Sequence, residues 1–392
     1  MSHFRNTYRA LIMSGIFALM VGCASSPDAS VAELENADKV MIVVIDDPRS
    51  ERRKRGVSGP GYSARLDYKD DPLLHARAAA IADDHGLSIL SEWPLRNLNV
   101  HCFAIVQPAD EVLDALQNDE RVRWVQPFNR FAVKNSNTGA GISELPVNQF
   151  GHQFNQKFFN EISQRGNNVN IAVIDTSADT SHPDLLRSRI TQANFAGQRG
   201  LQSKEAHGTA VVGLIAAKPS TSKGIAGLAN DANVHLLRGC WQDANNRGIC
   251  NTLTLALAFD AAIDLQPDIL NLSLTGPHDK ILAKLLALLL KKKTLVVAAY
   301  DENRSAKERF PMPQPGVIYA YGTDGDTQHP VAGNIFYAPR HALSLTPMAG
   351  YELVSGHSIA TPHISAMAAC LISRYPKATR KQIVANLQQW LS

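Results

Sequence analysis

From about residue 169 to the C-terminus, short and nearly unbroken apolar runs alternate with longer stretches of helical character. The strand-like runs cover 169–175, 233–239, 268–274, 295–300 and 316–322; the helical stretches cover 207–217, 252–265, 279–292, 358–374 and 379–391. A strand that is apolar at nearly every position has no face to turn to water, so it must be covered on both sides. Helices interleaved with such strands supply that cover, which predicts an α/β fold on a parallel sheet with helices on both faces. The run LAKLLALLL at 282–290 is as apolar as a membrane segment but too short to span. The lysines at 291–293 suit a helix C-terminus, so its predicted role is packing.

Residues 37–134 have a different rhythm. A strand over 40–45 leads to a helix with Asp71 as N-cap, Pro72 at its first position and Gly86 beyond its end. Strands over 87–93 and 100–106, a helix around 109–116 and a last strand over 122–125 follow. The order βαββαβ predicts a small ferredoxin-like α+β domain. Residues 135–155 read as a linker, polar and glycine-bearing over 135–144, and leave 156–392 as the larger domain.

Residues 1–22 read as a targeting signal, with Arg5 and Arg9 ahead of a short apolar core. The core ends in LMVGC at 19–23, which resembles a bacterial lipoprotein signal. That resemblance implies cleavage before Cys23, lipid on its thiol and a tether over 23–36. Acyl chains on Cys23 would anchor the chain stably, and Ala24 in the next position suits the periplasmic face of an outer membrane. An ordinary signal peptide, cut after ASS at 24–26, is the alternative. The net charge of +3 is too small to imply nucleic-acid binding. The basic run at 49–55 precedes glycine and proline without interleaved aromatics, so it reads as a solvated loop. In an oxidising compartment Cys240 and Cys250, which flank a polar loop, are candidates for a disulfide. Cys102 and Cys370 read as buried thiols.

Three motifs carry chemistry. IAVIDT at 171–176 ends a strand on Asp175; HGTAVVG at 207–213 opens a helix on His207; GHSIATPH at 356–363 opens another around Ser358. A serine hydroxyl is a poor nucleophile until an imidazole takes its proton, and the imidazole needs a carboxylate to fix its tautomer. The order Asp, His, Ser, with gaps of 32 and 151 residues, resembles the subtilisin-like serine proteases. Each residue sits in that family's local context, including SHPDL at 181–185 and the pair Thr361 and Pro362. The resemblance runs from about residue 155 to the C-terminus. It implies a serine endopeptidase acting through an acyl-enzyme, with Asp175, His207 and Ser358 as its relay. It also implies that 37–134 is a propeptide-like domain that covers the active site and assists folding. Self-cleavage between about residues 128 and 155 would then release the larger domain to the periplasm or beyond.

The segment NLSLTGP at 271–277 matches the family's substrate-backbone strand, so Ser273, Leu274, Thr275 and Gly276 are the expected peptide-binding residues. Thr275 replaces a common glycine, which would narrow the cleft. Ser177, Ala210 and His357 also depart from the family pattern. The weightiest departure is Asp301, aligned with the asparagine whose amide helps hold the oxyanion. An ionised Asp301 would repel the developing charge, whereas a protonated one could donate. Asn303 is a second candidate donor, and the backbone N–H of Ser358 at a helix N-terminus is the other half of the hole.

A catalytically weak or inactive lipoprotein that binds peptides on the same fold is the main rival reading, suggested by these departures. A small-ester hydrolase is disfavoured, since no G-x-S-x-G elbow surrounds Ser358. No cofactor is expected, and calcium, common in the family, stays open. Asp179, His182 and Asp184 lack zinc-type spacing and read as a structural turn, and calcium has no clear ligand cluster. The expected partners are a peptide or protein substrate, the chain's own propeptide-like domain and, through the lipid, a membrane.

Overall fold

In the computed structural model the described residues are 39–47, 72–133 and 158–391, apart from 159–160, 198–203, 222–223, 244 and 325–332. The segment read as a signal, Cys23, the tether, the basic run, Asp71 and the linker lie outside them.

The first unit comprises β1 (Val40–Asp46), α1 (Pro72–Asp84), β2 (Ile89–Leu95), β3 (Val100–Val106), α2 (Asp110–Gln117) and β4 (Val122–Pro127). Its sheet has the order β2-β3-β1-β4 with every pair antiparallel. Side chains alternate across a strand, and here both faces are apolar. Val43, Ile45, Phe103 and Ile105 pack with Ala78 and Ile81 of α1 and Leu116 of α2. Ile42, Val44, Trp93, Leu95, Cys102 and Trp124 point the other way and join the core of the larger unit.

After β5 (Arg130–Val133), the larger unit opens with β6 (Asn170–Asp175), β7 (Arg189–Asn194), α3 (Ala206–Ala216) and β8 (Asn233–Arg238). Then come β9 (Cys240–Gln242), β10 (Gly248–Asn251), α4 (Thr252–Leu265), β11 (Ile269–Leu272), β12 (Gly276–Pro277) and α5 (Lys280–Lys291). The chain continues through β13 (Leu295–Ala299), β14 (Arg309–Phe310), β15 (Val317–Thr323) and β16 (Ile335–Pro339). A hairpin of β17 (His341–Thr346) and β18 (Gly350–Ser355) precedes α6 (His357–Arg374) and α7 (Arg380–Leu391).

Seven strands form one sheet, in the order β16-β15-β13-β11-β6-β8-β7. All its pairs are parallel. Ile171 and Val173 of β6 face α3, α6 and α7, whereas Ala172 and Ile174 face α4 and α5. The expected parallel sheet with helices on both faces is therefore present. The hairpin, β5, β7, β16 and the short strands β9, β10 and β14 were not anticipated.

The two units meet on α4 and α5. Asp279 caps α5 by accepting from Leu282 N–H at 3.0 Å, and it also accepts from Gln126 Nε2 at 3.1 Å and Asn129 Nδ2 at 2.9 Å. Gln126 Oε1 takes the N–H of Ile281 at 3.1 Å, so the small unit supplies part of the helix cap. Asn97 donates its backbone N–H to Asp260 Oδ1 at 3.0 Å and its amide to the Asp260 carbonyl at 3.0 Å. Burial raises the Asp260 carboxyl above its ordinary pKa; the Asn97 bonds oppose this and nearby Asp264 adds to it.

Candidate active site

Ligand sites of open α/β sheets gather at the C-terminal ends of the parallel strands. Asp175 is the last residue of β6, and it is fully buried. Its Oδ1 accepts from His207 Nδ1 at 2.7 Å and from the Thr176 N–H at 2.7 Å. His207 is the second residue of α3 and 1% exposed. The sequence around it explains the close approach. A Cβ on Gly208 would lie 2.5 Å from the carbonyl oxygens of Thr176 and Ser177, so only glycine fits there. Gly208 N–H donates to Thr176 Oγ1 at 2.9 Å, and Thr209 Oγ1 accepts from the Asp179 N–H at 2.9 Å. These bonds fasten the start of α3 to the loop after β6. Glu205 reinforces them: its carboxylate accepts from Ser177 N–H at 2.7 Å, Gln242 N–H at 2.8 Å and Arg238 Nε at 3.0 Å.

Ser358 is the second residue of α6 and 4% exposed. Gly356 ahead of it has φ of 140°, a conformation that favours glycine. Pro362, four residues on, has no N–H to offer the Ser358 carbonyl. Ser365 Oγ donates to Asn271 Oδ1 at 2.7 Å, and Asn271 Nδ2 donates to Ser273 Oγ at 3.0 Å, tying α6 to the segment after β11. His207 Nε2 is buried and has no hydrogen-bond partner among the described residues. The structure thus pairs Asp175 with His207 and shows no bond from His207 Nε2 to Ser358. Such bonds commonly tighten only when substrate is bound.

Ser358 lines an open cavity of about 300 Å³ with Ser273, Leu274, Thr275, Asp301 and Asn303. Asp301 is 3% exposed. Its Oδ2 accepts from Arg304 Nη1 at 2.6 Å and its Oδ1 from the Asn303 N–H at 3.1 Å. Both oxygens are engaged as acceptors, and the guanidinium of Arg304, three residues along, was not anticipated as their partner. His357 Nδ1 accepts from the Gly322 N–H at 2.8 Å, and its ring lies 4.4 Å from that of Tyr321.

The chain itself occupies the cleft. β5 pairs antiparallel with β10, matching Arg130 to Asn251, Phe131 to Cys250, Ala132 to Ile249 and Val133 to Gly248. On its other edge Ala132 and Thr275 exchange both backbone hydrogen bonds, at 2.9 and 3.0 Å. Two glycines make room for it. A Cβ on Gly276 would meet the Phe131 ring at 2.0 Å, and one on Gly248 would meet Val133 Cβ at 2.5 Å. Phe131 stands edge-to-face on Phe310, with ring centroids 5.9 Å apart. Of the β5 residues, Ala132 lines the cavity that contains Ser358.

Cys240 and Cys250 are joined by a disulfide across β9 and β10, so the bridge backs the strand that pairs with β5. Cys102 and Cys370 are buried, and burial pushes the Cys370 thiol up to about 12. Asp184 holds loops together, accepting from the N–H groups of Ser220 and Ile225, both at 2.7 Å, and from Tyr351 Oη at 3.0 Å. Away from the cleft, His75, Glu92 and His101 come together in the small unit. The sequence reading missed this cluster, because its members lie on three different elements and share no local motif.

Residues 166–308 and 290–391 match the model of the Subtilase family. Among curated proteins, the chain is 26% identical over 279 residues to Subtilisin NAT of Bacillus subtilis subsp. natto, covering 66% of this chain and 72% of that one. It is 28% identical over 276 residues to the Thermophilic serine proteinase of Bacillus sp. (strain AK1), covering 68% and 67%. With the Major intracellular serine protease of Bacillus subtilis (strain 168) it shares 31% identity over 228 residues, covering 54% and 70%. Among solved structures, fervidolysin from Fervidobacterium pennivorans, a keratinolytic enzyme related to subtilisin, superposes with a TM-score of 0.63 at 20% identity. That match covers 88% of this chain and spans 56% of the fervidolysin chain. It is a likeness of fold.

Proposed function

The chain belongs to the subtilase family of serine-type endopeptidases, and from that premise we propose that it is made as a self-inhibited precursor that cleaves itself. Ser358 is the nucleophile, His207 the base that takes its proton, and Asp175 the carboxylate that holds the imidazole. The observation that carries this reading is β5, which lies in the cleft as a substrate would, with Ala132 paired to Thr275. Strand addition of this kind recognises an extended backbone and leaves side-chain pockets to select sequence. Residues 37–134 then act as inhibitor and folding aid. The bond cleaved first lies just after Val133: Ser358 Oγ adds to its carbonyl, the amine leaves with the proton held by His207, and water then hydrolyses the acyl-enzyme ester. The seat of Phe131 over Gly276 and Phe310 favours substrates with a bulky apolar residue at that point.

Cys23, if lipidated, lies on the inhibitor side of that bond. Cleavage then severs the catalytic domain from its covalent membrane anchor, and the contacts on α4 and α5 with the pairing of β5 to β10 and Thr275 hold it. This part of the reading is supported by the sequence around residues 19–23 and by domain order.

An organophosphorus probe separates this reading from a peptide-binding scaffold without catalysis. Labelling of Ser358 in the processed protein is expected. An unlabelled, folded protein with an open cleft would favour the scaffold.

A further inference from the structure

We propose that His75, Glu92 and His101 form a binding site for a divalent transition-metal ion of the zinc type. The three residues come from α1, β2 and β3, and their donor atoms all lie within 4.8 Å of one another. His75 Nδ1 contacts Glu92 Oε1, and His101 Nε2 lies 2.9 Å from Glu92 Oε2. Two imidazoles and one carboxylate are a donor set that suits zinc and its neighbours, with a fourth position left for water. The two rings meet edge-on at 82°, so their nitrogens converge on the carboxylate instead of stacking past it.

Charge balance points the same way. Among the described residues Glu92 ion-pairs with the two histidines and with no lysine or arginine. Burial works against its charge, yet hydrogen bonds from His101 and His75 hold the carboxyl below its ordinary pKa. The cluster thus sets a partly buried carboxylate between two imidazoles. A dication in place of the two shared hydrogens compensates that charge, each neutral imidazole taking the tautomer that offers its lone pair to the ion. Access is open on one side: the side chains of His75 and Glu92 are 39% and 27% exposed, while that of His101 is 2% exposed.

The site lies on the helix-covered face of the small sheet, away from α4 and α5, so it neither touches the cleft nor depends on catalysis. Its effect is to pin α1 to β2 and β3 in a unit of modest core. Because the unfolded chain lacks the site, metal binding adds to the stability of the fold that delivers β5.

The test uses the full-length Ser358→Ala protein, stripped with a chelator and titrated with zinc chloride in a calorimeter. One site and a raised melting temperature are expected. Cobalt(II) should give the visible absorption of a tetrahedral centre. His75→Ala, on the accessible side of α1, should weaken zinc binding by at least about 10-fold, the scale on which even outer-shell changes act. Glu92→Gln should do the same while keeping the shape of the site. Absence of binding would overturn the proposal. So would zinc binding that neither variant weakens, since the ion would then sit elsewhere. Stabilisation by acid with indifference to zinc would assign the cluster to protons and overturn it equally.

Discussion

Asp175→Asn is expected to lower the rate of peptide hydrolysis by about 10⁴-fold with little change in KM, the scale known for the carboxylate of such relays. The substitution is isosteric and the position fully buried, so the fold should persist. What changes is the proton on the imidazole. Asp175 Oδ1 accepts from His207 Nδ1 at 2.7 Å, which leaves Nε2 with the lone pair that must take the Ser358 proton. An amide facing Nδ1 with its own N–H group stabilises the opposite tautomer, with hydrogen on Nε2. That imidazole cannot act as base. A loss below about 10-fold, in a variant whose melting temperature matches the wild type, would place the base elsewhere.

Asp301→Asn is expected to act in the opposite direction and raise turnover near neutral pH by about 10-fold or more. Removing an oxyanion donor from a member of this family costs about 10²–10³ in turnover. In this chain the position is held by a carboxylate whose oxygens accept from Arg304 and from the Asn303 N–H. It therefore offers the oxyanion no hydrogen as it stands. An asparagine can keep the Asn303 N–H on its oxygen and turn its amide nitrogen to the cleft. Part of the gain is offset by the lost ion pair with Arg304, which is why the full range is not expected. Steady-state kinetics on one extended peptide would decide the matter. Equal or lower turnover in the variant would mean that another group, Asn303 for one, already serves the oxyanion.

The motifs around Asp175, His207 and Ser358 were legible because each is written in local sequence. A glycine must follow His207, since its Cβ would collide with the carbonyls after Asp175. A glycine must also precede the helix of Ser358, since the backbone there has positive φ. The parallel sheet was legible for a similar reason: strands such as Ile171–Ile174 and Leu295–Ala298 are apolar at each position and declare themselves buried on both faces. What the sequence hid were pairings across distance. Nothing near Ala132 announces Thr275, and nothing near Gly248 announces Val133, although each glycine is explained once β5 lies beside it. The Arg304–Asp301 pair was within reach, since the residues are three apart, but a bend in place of a helix gave no periodicity to suggest it. His75, Glu92 and His101 were out of reach, because only the packing of α1 on β2 and β3 brings them together.

The most direct test of a self-cleaving precursor is the intact mass of the wild-type chain against Ser358→Ala, both expressed at full length. The account predicts that the wild type separates into two fragments with a new N-terminus shortly after Val133, while Ser358→Ala stays whole. Two uncut proteins, or the same cut in both, would contradict it.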